Sequence, residues 1–217
     1  MTVQRSPSAF TIRIIGSADA AAVTALLDRS TLRNAALERR VARIVEHVRR
    51  DGDTALMEYA RQFDGLAAPL EVSRDEIRRG ARSVPREVRD AIRTAGEHIR
   101  RVAVRQVPAG WTMQPVAGVR IRQRVVPLDR VGCYVPGGRY PLPSSLLMTA
   151  IPARVAGVPE VVAVCPKVDA TILCAAEATG VSRLFRVGGA HAIAALAFGT
   201  GSVPRVDKIV GPGNAYV

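Results

Sequence analysis

The second half of the sequence alternates short apolar runs with helix-forming segments, and this alternation limits the possible folds more than any other feature. Runs such as 161–165 contain only valine, alanine and cysteine, which is the pattern of parallel strands covered on both faces. Strands alternating with helices indicate βαβ units. We predict a Rossmann-like parallel α/β sheet with strand 131–135, helix 145–156, strand 160–165, helix 170–179, strand 183–187, helix 190–198 and strand 207–210.

Glycine-bearing turns follow three of these predicted strands, at 136–138, 188–189 and 211–214. Ligands of open parallel sheets bind at the carboxyl ends of the strands, so the three turns predict one convergent site. None of them completes the G-x-G-x-x-G pattern or a P-loop. Spacing alone leaves two interpretations open: the glycines are needed only for tight turns, or they face a ligand.

The first 110 residues favour helices, and we predict a mainly helical region over 1–110 followed by a Rossmann-like region over 111–217. In the helical region, Ser17 is predicted to cap a helix that runs to Asp28, and an amphipathic stripe over 41–48 predicts a second helix that ends near Gly52. Asp53 is predicted to cap a third helix that closes at Asp64-Gly65, and Ser73 and Glu76 have the spacing of a capping box. After Pro85 a stripe of Val88, Ile92, Ala95, Ile99 and Val102 predicts a long core-facing helix, and the alternation at 119–125 predicts a half-exposed hairpin with 111–114.

Composition narrows the class of protein. A hydrophobic content of 48% over 217 residues supports a globular core, and no apolar run reaches the roughly 20 residues of a membrane span. The net charge of +12 comes almost entirely from arginines interleaved with acids, without an aromatic platform, so we interpret them as solvated helix faces and not as a nucleic-acid surface. We predict a cytoplasmic protein with no membrane partner and three buried cysteines, Cys133, Cys165 and Cys174.

Four long motifs in the second half closely resemble the histidinol dehydrogenase family. They are Gly-Cys-Tyr-Val-Pro-Gly-Gly from Gly132, the run from Pro143 to Gly157, Val-Gly-Gly-Ala-His-Ala-Ile-Ala-Ala-Leu-Ala-Phe-Gly-Thr from Val187, and Val-Asp-Lys-Ile-Val-Gly-Pro-Gly-Asn-Ala-Tyr-Val from Val206. The resemblance implies an incomplete aldehyde dehydrogenase-like fold. It also implies a homodimeric, zinc-containing, NAD-dependent enzyme that oxidises L-histidinol through an aldehyde to L-histidine, the last step of histidine biosynthesis.

The resemblance assigns the cofactor contacts to Tyr134, His191 and Asn214. Family members carry glutamine where this sequence has His191, and a protonated imidazole facing the NAD pyrophosphate would tighten cofactor binding as the pH falls. The family's zinc ligands and its Glu-His general-base pair lie later than this sequence reaches, so no catalytic or metal-binding residue is assigned here. We therefore expect a piece of a protein about twice as long, inactive, zinc-free and prone to aggregate when isolated.

Two other functions stay open on the sequence. The Gly-Gly-Arg-Tyr-Pro run together with Ala190-His191-Ala192 also resembles related NAD-dependent dehydrogenases that act on other alcohols, including sulfonated diols. The second alternative comes from a different class of protein: a non-catalytic remnant or an arginine-rich polyanion-binding protein.

Overall fold

The structure is a computed structural model that describes residues 14–27, 35–138 and 140–213. By its contacts the chain divides into two compact units, Met1–Glu38 and Arg39–Val217, and the boundary expected near residue 110 stays a prediction. The helices of the described part are α1 (Ala20–Leu27), α2 (Ala35–Asp51), α3 (Asp53–Asp64), α4 (Arg74–Ser83), α5 (Arg86–Gln106), α6 (Pro143–Val155), α7 (Ala170–Thr179) and α8 (Gly189–Phe198). Its strands are β1 (Trp111–Val116), β2 (Val119–Gln123), β3 (Arg130–Tyr134), β4 (Glu160–Val164), β5 (Arg183–Phe185) and β6 (Lys208–Val210).

Four strands form a parallel sheet in the order β5-β4-β3-β6. Strand β3 pairs with β4 from Arg130↔Glu160 to Tyr134↔Val164, and its other edge pairs with β6. The predicted Rossmann-like parallel sheet with flanking helices is confirmed, although β5 ends two residues before the predicted boundary.

Beyond their first residues, strands β3, β4 and β5 are buried on both faces, which is why they are continuous apolar runs, whereas the edge strand β6 is partly exposed. Along β4, Val161 and Ala163 belong to a core shared with α6 and α7, whereas Val162 and Val164 belong to a second core shared with α3 and α8. Alternate side chains of one strand therefore serve two different cores, and a polar residue on either face would lose its hydration.

The helix starts differ from two of the predicted caps. In the first unit, the Ala22 amide donates to Asp19 Oδ1 at 3.0 Å, so Asp19 and not Ser17 caps α1. The N-cap of α3 is Gly52, with φ +57°, because only glycine readily adopts that conformation. Asp53 is instead the first helical residue, and its Oδ2 accepts a hydrogen bond from Ser202 Oγ at 2.9 Å.

The predicted cap of α4 is confirmed in one direction. The Glu76 amide donates to Ser73 Oγ at 3.1 Å, but the Glu76 carboxylate accepts from the Arg186 guanidinium. In α5, Ile92 is buried as predicted, whereas Val102 is 60% exposed and Ala103 is buried in its place. Within the described residues, none of the helices is long and apolar enough to cross a membrane.

The predicted hairpin is present, with β1 and β2 antiparallel and Ala117-Gly118 between them. Gly118 has φ +83°, the conformation that lets the chain reverse in two residues. The expectation of one covered face is wrong for this chain, because every residue of both strands is exposed.

All three cysteines are buried, as predicted. Burial raises the pKa of the Cys133 thiol to about 11 and that of Cys165 to about 11, and it also raises the pKa of Cys174. The reactive thiolate is therefore scarce near neutral pH.

We expect thiol reagents to modify the folded protein at pH 8 at least about 100-fold more slowly than free cysteine, because both thiolate fraction and access are reduced. Absorbance of a chromogenic disulfide reagent measures the rate. The same protein in concentrated urea, where the three cysteines become accessible, serves as the control. Rapid labelling of a cysteine in the folded state would contradict the burial.

Candidate cofactor site at the carboxyl edge of the sheet

The order of the sheet reverses at β3. From β3 the chain moves outward through α6 to β4 and through α7 to β5, then returns through α8 to β6 on the opposite side of β3. In open parallel sheets, the ligand crevice lies at the carboxyl ends of the strands where the order reverses. Here that point is the pair of ends formed by Tyr134 on β3 and Gly211 after β6.

Gly211 lies directly against the end of β3. Its φ is +147°, a conformation that L-amino acids rarely adopt. A Cβ built at this position would overlap the Tyr134 carbonyl oxygen and lie 3.0 Å from the Tyr134 carbonyl carbon and Cβ. Glycine at 211 is therefore required for the two strand ends to approach each other.

The other two glycine turns are joined by one proline. A Cβ at Gly137 would lie 2.7 Å from Pro166 Cγ, and a Cβ at Gly188 would lie 2.6 Å from the same atom. Pro166 follows β4, between the turns after β3 and β5. At these two positions a packed protein side chain, and not the approach of a ligand, accounts for the requirement for glycine.

This packing predicts that Pro166→Ala will relieve the stability cost of one glycine substitution more than that of the other. Gly137→Ala and Gly188→Ala should each lower the free energy of unfolding by about 1–3 kcal/mol through overpacking. In a Pro166→Ala background Gly137→Ala should become nearly neutral, because Pro166 Cβ is 3.7 Å away. Gly188→Ala should keep most of its cost, because there Pro166 Cβ remains at 2.9 Å.

Urea denaturation of the single and double variants measures these couplings. A Gly137→Ala cost that stayed the same in the Pro166→Ala background would contradict the contact between Gly137 and Pro166 Cγ, since that contact should make the two substitutions non-additive.

Tyr134 is buried, with 4% of its surface exposed, and its ring packs in the core shared with α8. Its hydroxyl oxygen accepts a hydrogen bond from the Gly189 amide at 3.1 Å. Burial raises the pKa of Tyr134, so the side chain remains a neutral phenol at physiological pH. Core packing and a polar contact to the α8 turn are thus combined in one residue.

His191 lies in the first turn of α8 with only 2% of its surface exposed. Its Nε2 is 2.9 Å from Asp64 Oδ2, and the rings of Tyr59 and Phe63 lie 5.9 Å from its own ring, centroid to centroid. The predicted effect of pH on cofactor binding assumed an imidazole that faces the cofactor, whereas in this structure Nε2 is directed at α3. The cofactor contact of His191 stays a prediction.

Tyr134 and His191 are brought to the same turn, one through the Gly189 amide and the other as part of α8. The third predicted residue, Asn214, lies outside the described residues. Sequence reasoning missed two members of this site, Asp64 and Pro166. Asp64 was interpreted only as a helix end, and no local pattern could reveal its contact with a residue 127 positions away.

The described residues do not form a metal site. No three of their His, Cys, Asp and Glu side chains form a group that would hold an ion. The zinc ligands that the resemblance implies stay a prediction, because the resemblance places them later than this sequence reaches.

A large groove of about 1010 Å³ lies elsewhere, between the end of α5, the hairpin and α6. Its walls include Trp111, Met148 and Val126, all of them at least 46% exposed. Neither Tyr134, His191 nor the glycines of the three turns line it.

The strand order and the flanking helices together define an open, Rossmann-like parallel α/β protein. The family model for histidinol dehydrogenase matches residues 27–217, and the chain belongs to this family. The chain is 47% identical over 211 residues to histidinol dehydrogenase of Methylococcus capsulatus. The aligned region covers 93% of this chain and 48% of that protein. It is 49% identical over 189 residues to that of Symbiobacterium thermophilum, covering 83% of this chain and 43% of the relative.

A solved structure supports the same fold. The crystal structure of histidinol dehydrogenase from Elizabethkingia anophelis matches with a TM-score of 0.83 at 31% identity, over 91% of this chain and 47% of that chain. The chain spans about half the length of the curated relatives it matches. The family is one of oxidoreductases of histidine biosynthesis, and it implies NAD and zinc.

Proposed function

We propose that this chain carries the cofactor side of an NAD-dependent dehydrogenase that oxidises L-histidinol through an aldehyde to L-histidine. In this proposal Tyr134, His191 and Asn214 belong to the NAD site. The zinc ligands and the general base come from residues outside the described part of the chain. The whole enzyme acts as a cytoplasmic homodimer on a small amino alcohol.

The observation that carries the proposal is the approach of Gly211 to Tyr134 at the point where the sheet order reverses. A glycine with φ +147° lets the ends of β3 and β6 approach each other, and Gly211 itself is exposed at this edge. Small-molecule sites place a few polar groups against such backbone at these switch points. Family membership then supports a nicotinamide dinucleotide as the ligand.

In this proposal, the residues of this chain bind the NAD cofactor and orient it. When bound, NAD⁺ would supply the hydride acceptor, one NAD⁺ molecule for each of the two oxidations. Tyr134 holds the Gly189 amide through its hydroxyl, and the two core clusters keep the carboxyl edge rigid. A rigid edge lowers the entropic cost of positioning a cofactor for hydride transfer.

The test uses the protein expressed from its full coding sequence, with NADH absorbance following oxidation of L-histidinol. Tyr134→Phe should raise KM for NAD⁺ about threefold to tenfold, because the Gly189 amide loses its hydrogen-bond acceptor. Tyr140→Phe is the matched control, since Tyr140 is 78% exposed in the neighbouring loop and should leave KM unchanged.

Absence of histidinol oxidation by the wild-type protein would refute the proposal. A higher kcat/KM for a sulfonated diol in the same assay would favour the related dehydrogenases instead. Binding to duplex DNA that persists at about 0.2 M salt would favour a polyanion-binding protein, because loose phosphate attraction falls steeply with salt. The names of the relatives favour neither alternative.

A further inference from the structure

The side chain of Asp64, which the proposed mechanism does not use, lies against the start of α8. Asp64 is the last residue of α3, and its side chain is only 10% exposed. Its Oδ2 accepts from the Gly188 amide at 2.9 Å and lies 2.9 Å from His191 Nε2. One oxygen atom thus joins the N-cap residue of α8 to a side chain in the first turn of the same helix.

The chemistry of these groups fixes the direction of both bonds. The Gly188 N–H can only donate, and with Asp64 as a carboxylate the form of His191 that carries a proton on Nε2 donates to the same oxygen. A carboxylate is also favoured at a helix start, where free amides and the helix dipole present positive charge. Asp64 therefore occupies the place at Gly188 that an anionic group of a ligand would otherwise take.

The imidazole ring has little freedom to turn away. The rings of Tyr59 and Phe63 stack on each other with centroids 5.6 Å apart, and each contacts the His191 ring. Tyr59 is itself held, because its hydroxyl lies 2.9 Å from His47 Nδ1, and His47 Nε2 lies 3.1 Å from Asp51 Oδ2. The walls around the His191–Asp64 pair are fixed from α2 as well as α3.

The next amide along is held from the other side, because the Gly189 N–H donates to the Tyr134 hydroxyl. Gly188 and Gly189 are therefore attached to two different elements, α3 through Asp64 and β3 through Tyr134. We propose that Asp64 is a positioning residue for the cofactor site. It fixes the Gly188–Gly189 turn and the His191 ring, and through them sets cofactor affinity without contacting the cofactor. The inference rests on the proposed function.

The test compares Asp64→Ala and Asp64→Asn with the wild-type full-length protein, and Asp75→Asn is the matched control. Asp75 is an aspartate near the start of α4 whose side chain, unlike that of Asp64, is 74% exposed. Three measurements are made on each protein: the dissociation constant for NAD⁺, the KM and kcat for both substrates, and amide hydrogen exchange at Gly188 and Gly189.

Asp64→Ala should weaken NAD⁺ binding about tenfold or more, since two hydrogen bonds to a charged acceptor are lost. KM for NAD⁺ should rise while KM for the alcohol stays close to wild type, and exchange at Gly188 should accelerate. Asp64→Asn keeps an oxygen acceptor without the charge and should fall between wild type and Asp64→Ala in both affinity and exchange. A residue that only stabilised the fold would not separate the two KM values or produce this graded recovery.

Unchanged NAD⁺ affinity and unchanged exchange in Asp64→Ala would overturn the inference. If Asp64→Ala does not fold, Asp64→Asn decides in the same way, and a variant equal to wild type in both measurements overturns it. A wild-type protein that binds no NAD⁺ refutes the proposed function instead. The role of Asp64 in holding the turn is then decided by exchange alone, with faster exchange at Gly188 supporting it and unchanged exchange overturning it.

Discussion

Gly211→Ala is expected to lower the free energy of unfolding by about 3 kcal/mol or more and to weaken NAD⁺ binding at least about tenfold. Two costs combine at this position. A backbone with φ +147° is strained for any residue with a Cβ, and that Cβ would overlap the Tyr134 carbonyl oxygen. Relief requires β3 and β6 to separate at the proposed cofactor edge. Urea denaturation and NAD⁺ titration of the full-length protein measure the two effects.

Gly180→Ala separates backbone strain from the close approach. Gly180 also has a positive φ, +62°, but a Cβ there meets nothing within 4 Å. Its substitution should cost only about 1–2 kcal/mol and leave NAD⁺ affinity unchanged. Equal costs for the two variants would show that the contact between Gly211 and Tyr134 contributes nothing.

Phe185→Ala is expected to cost about 3–5 kcal/mol, a large part of the stability of an ordinary domain. Phe185 is fully buried on β5 in the core shared with α3 and α8. Its removal leaves a cavity beneath the strand that precedes the Gly188–Gly189 turn. The midpoint of urea denaturation should fall accordingly, with the slope unchanged if unfolding remains two-state.

Phe198→Ala is the matched control for Phe185→Ala. Both rings lie beneath an arginine guanidinium, Arg183 at 4.8 Å from the Phe185 centroid and Arg49 at 5.3 Å from the Phe198 centroid. Phe198 is 42% exposed, so its removal should cost about 1 kcal/mol or less. Similar losses for the two variants would mean that the cation–π contact, and not burial, dominates at both sites.

Local signals predicted the elements well because their causes are local. The apolar runs at 131–135 and 160–165 became adjacent parallel strands, and the Ser73 side chain caps α4. The caps predicted for Ser17 and Asp53 failed because a cap depends on the backbone conformation of a single residue. At α3 the N-cap position has φ +57°, which selects Gly52.

Exposure was harder to predict than secondary structure. Periodicity identified α5 as an amphipathic helix, but it placed Val102 in the core, where the structure has Ala103. It also predicted one covered face for the hairpin, which is exposed on both. A period shows that one face is apolar, whereas burial depends on which other element lies against that face.

The sequence by itself determined the parallel α/β fold, the family and the position of the glycine turns, because strand and helix periods and long contiguous motifs are read from neighbouring residues. Only the tertiary structure decided what the glycines face and where His191 points. Gly137 and Gly188 meet Pro166, and His191 meets Asp64 from a helix 127 residues earlier. These contacts arise from packing α3 against α8 and from the order of the strands, and no spacing along the chain encodes which side chains that packing brings within hydrogen-bond distance.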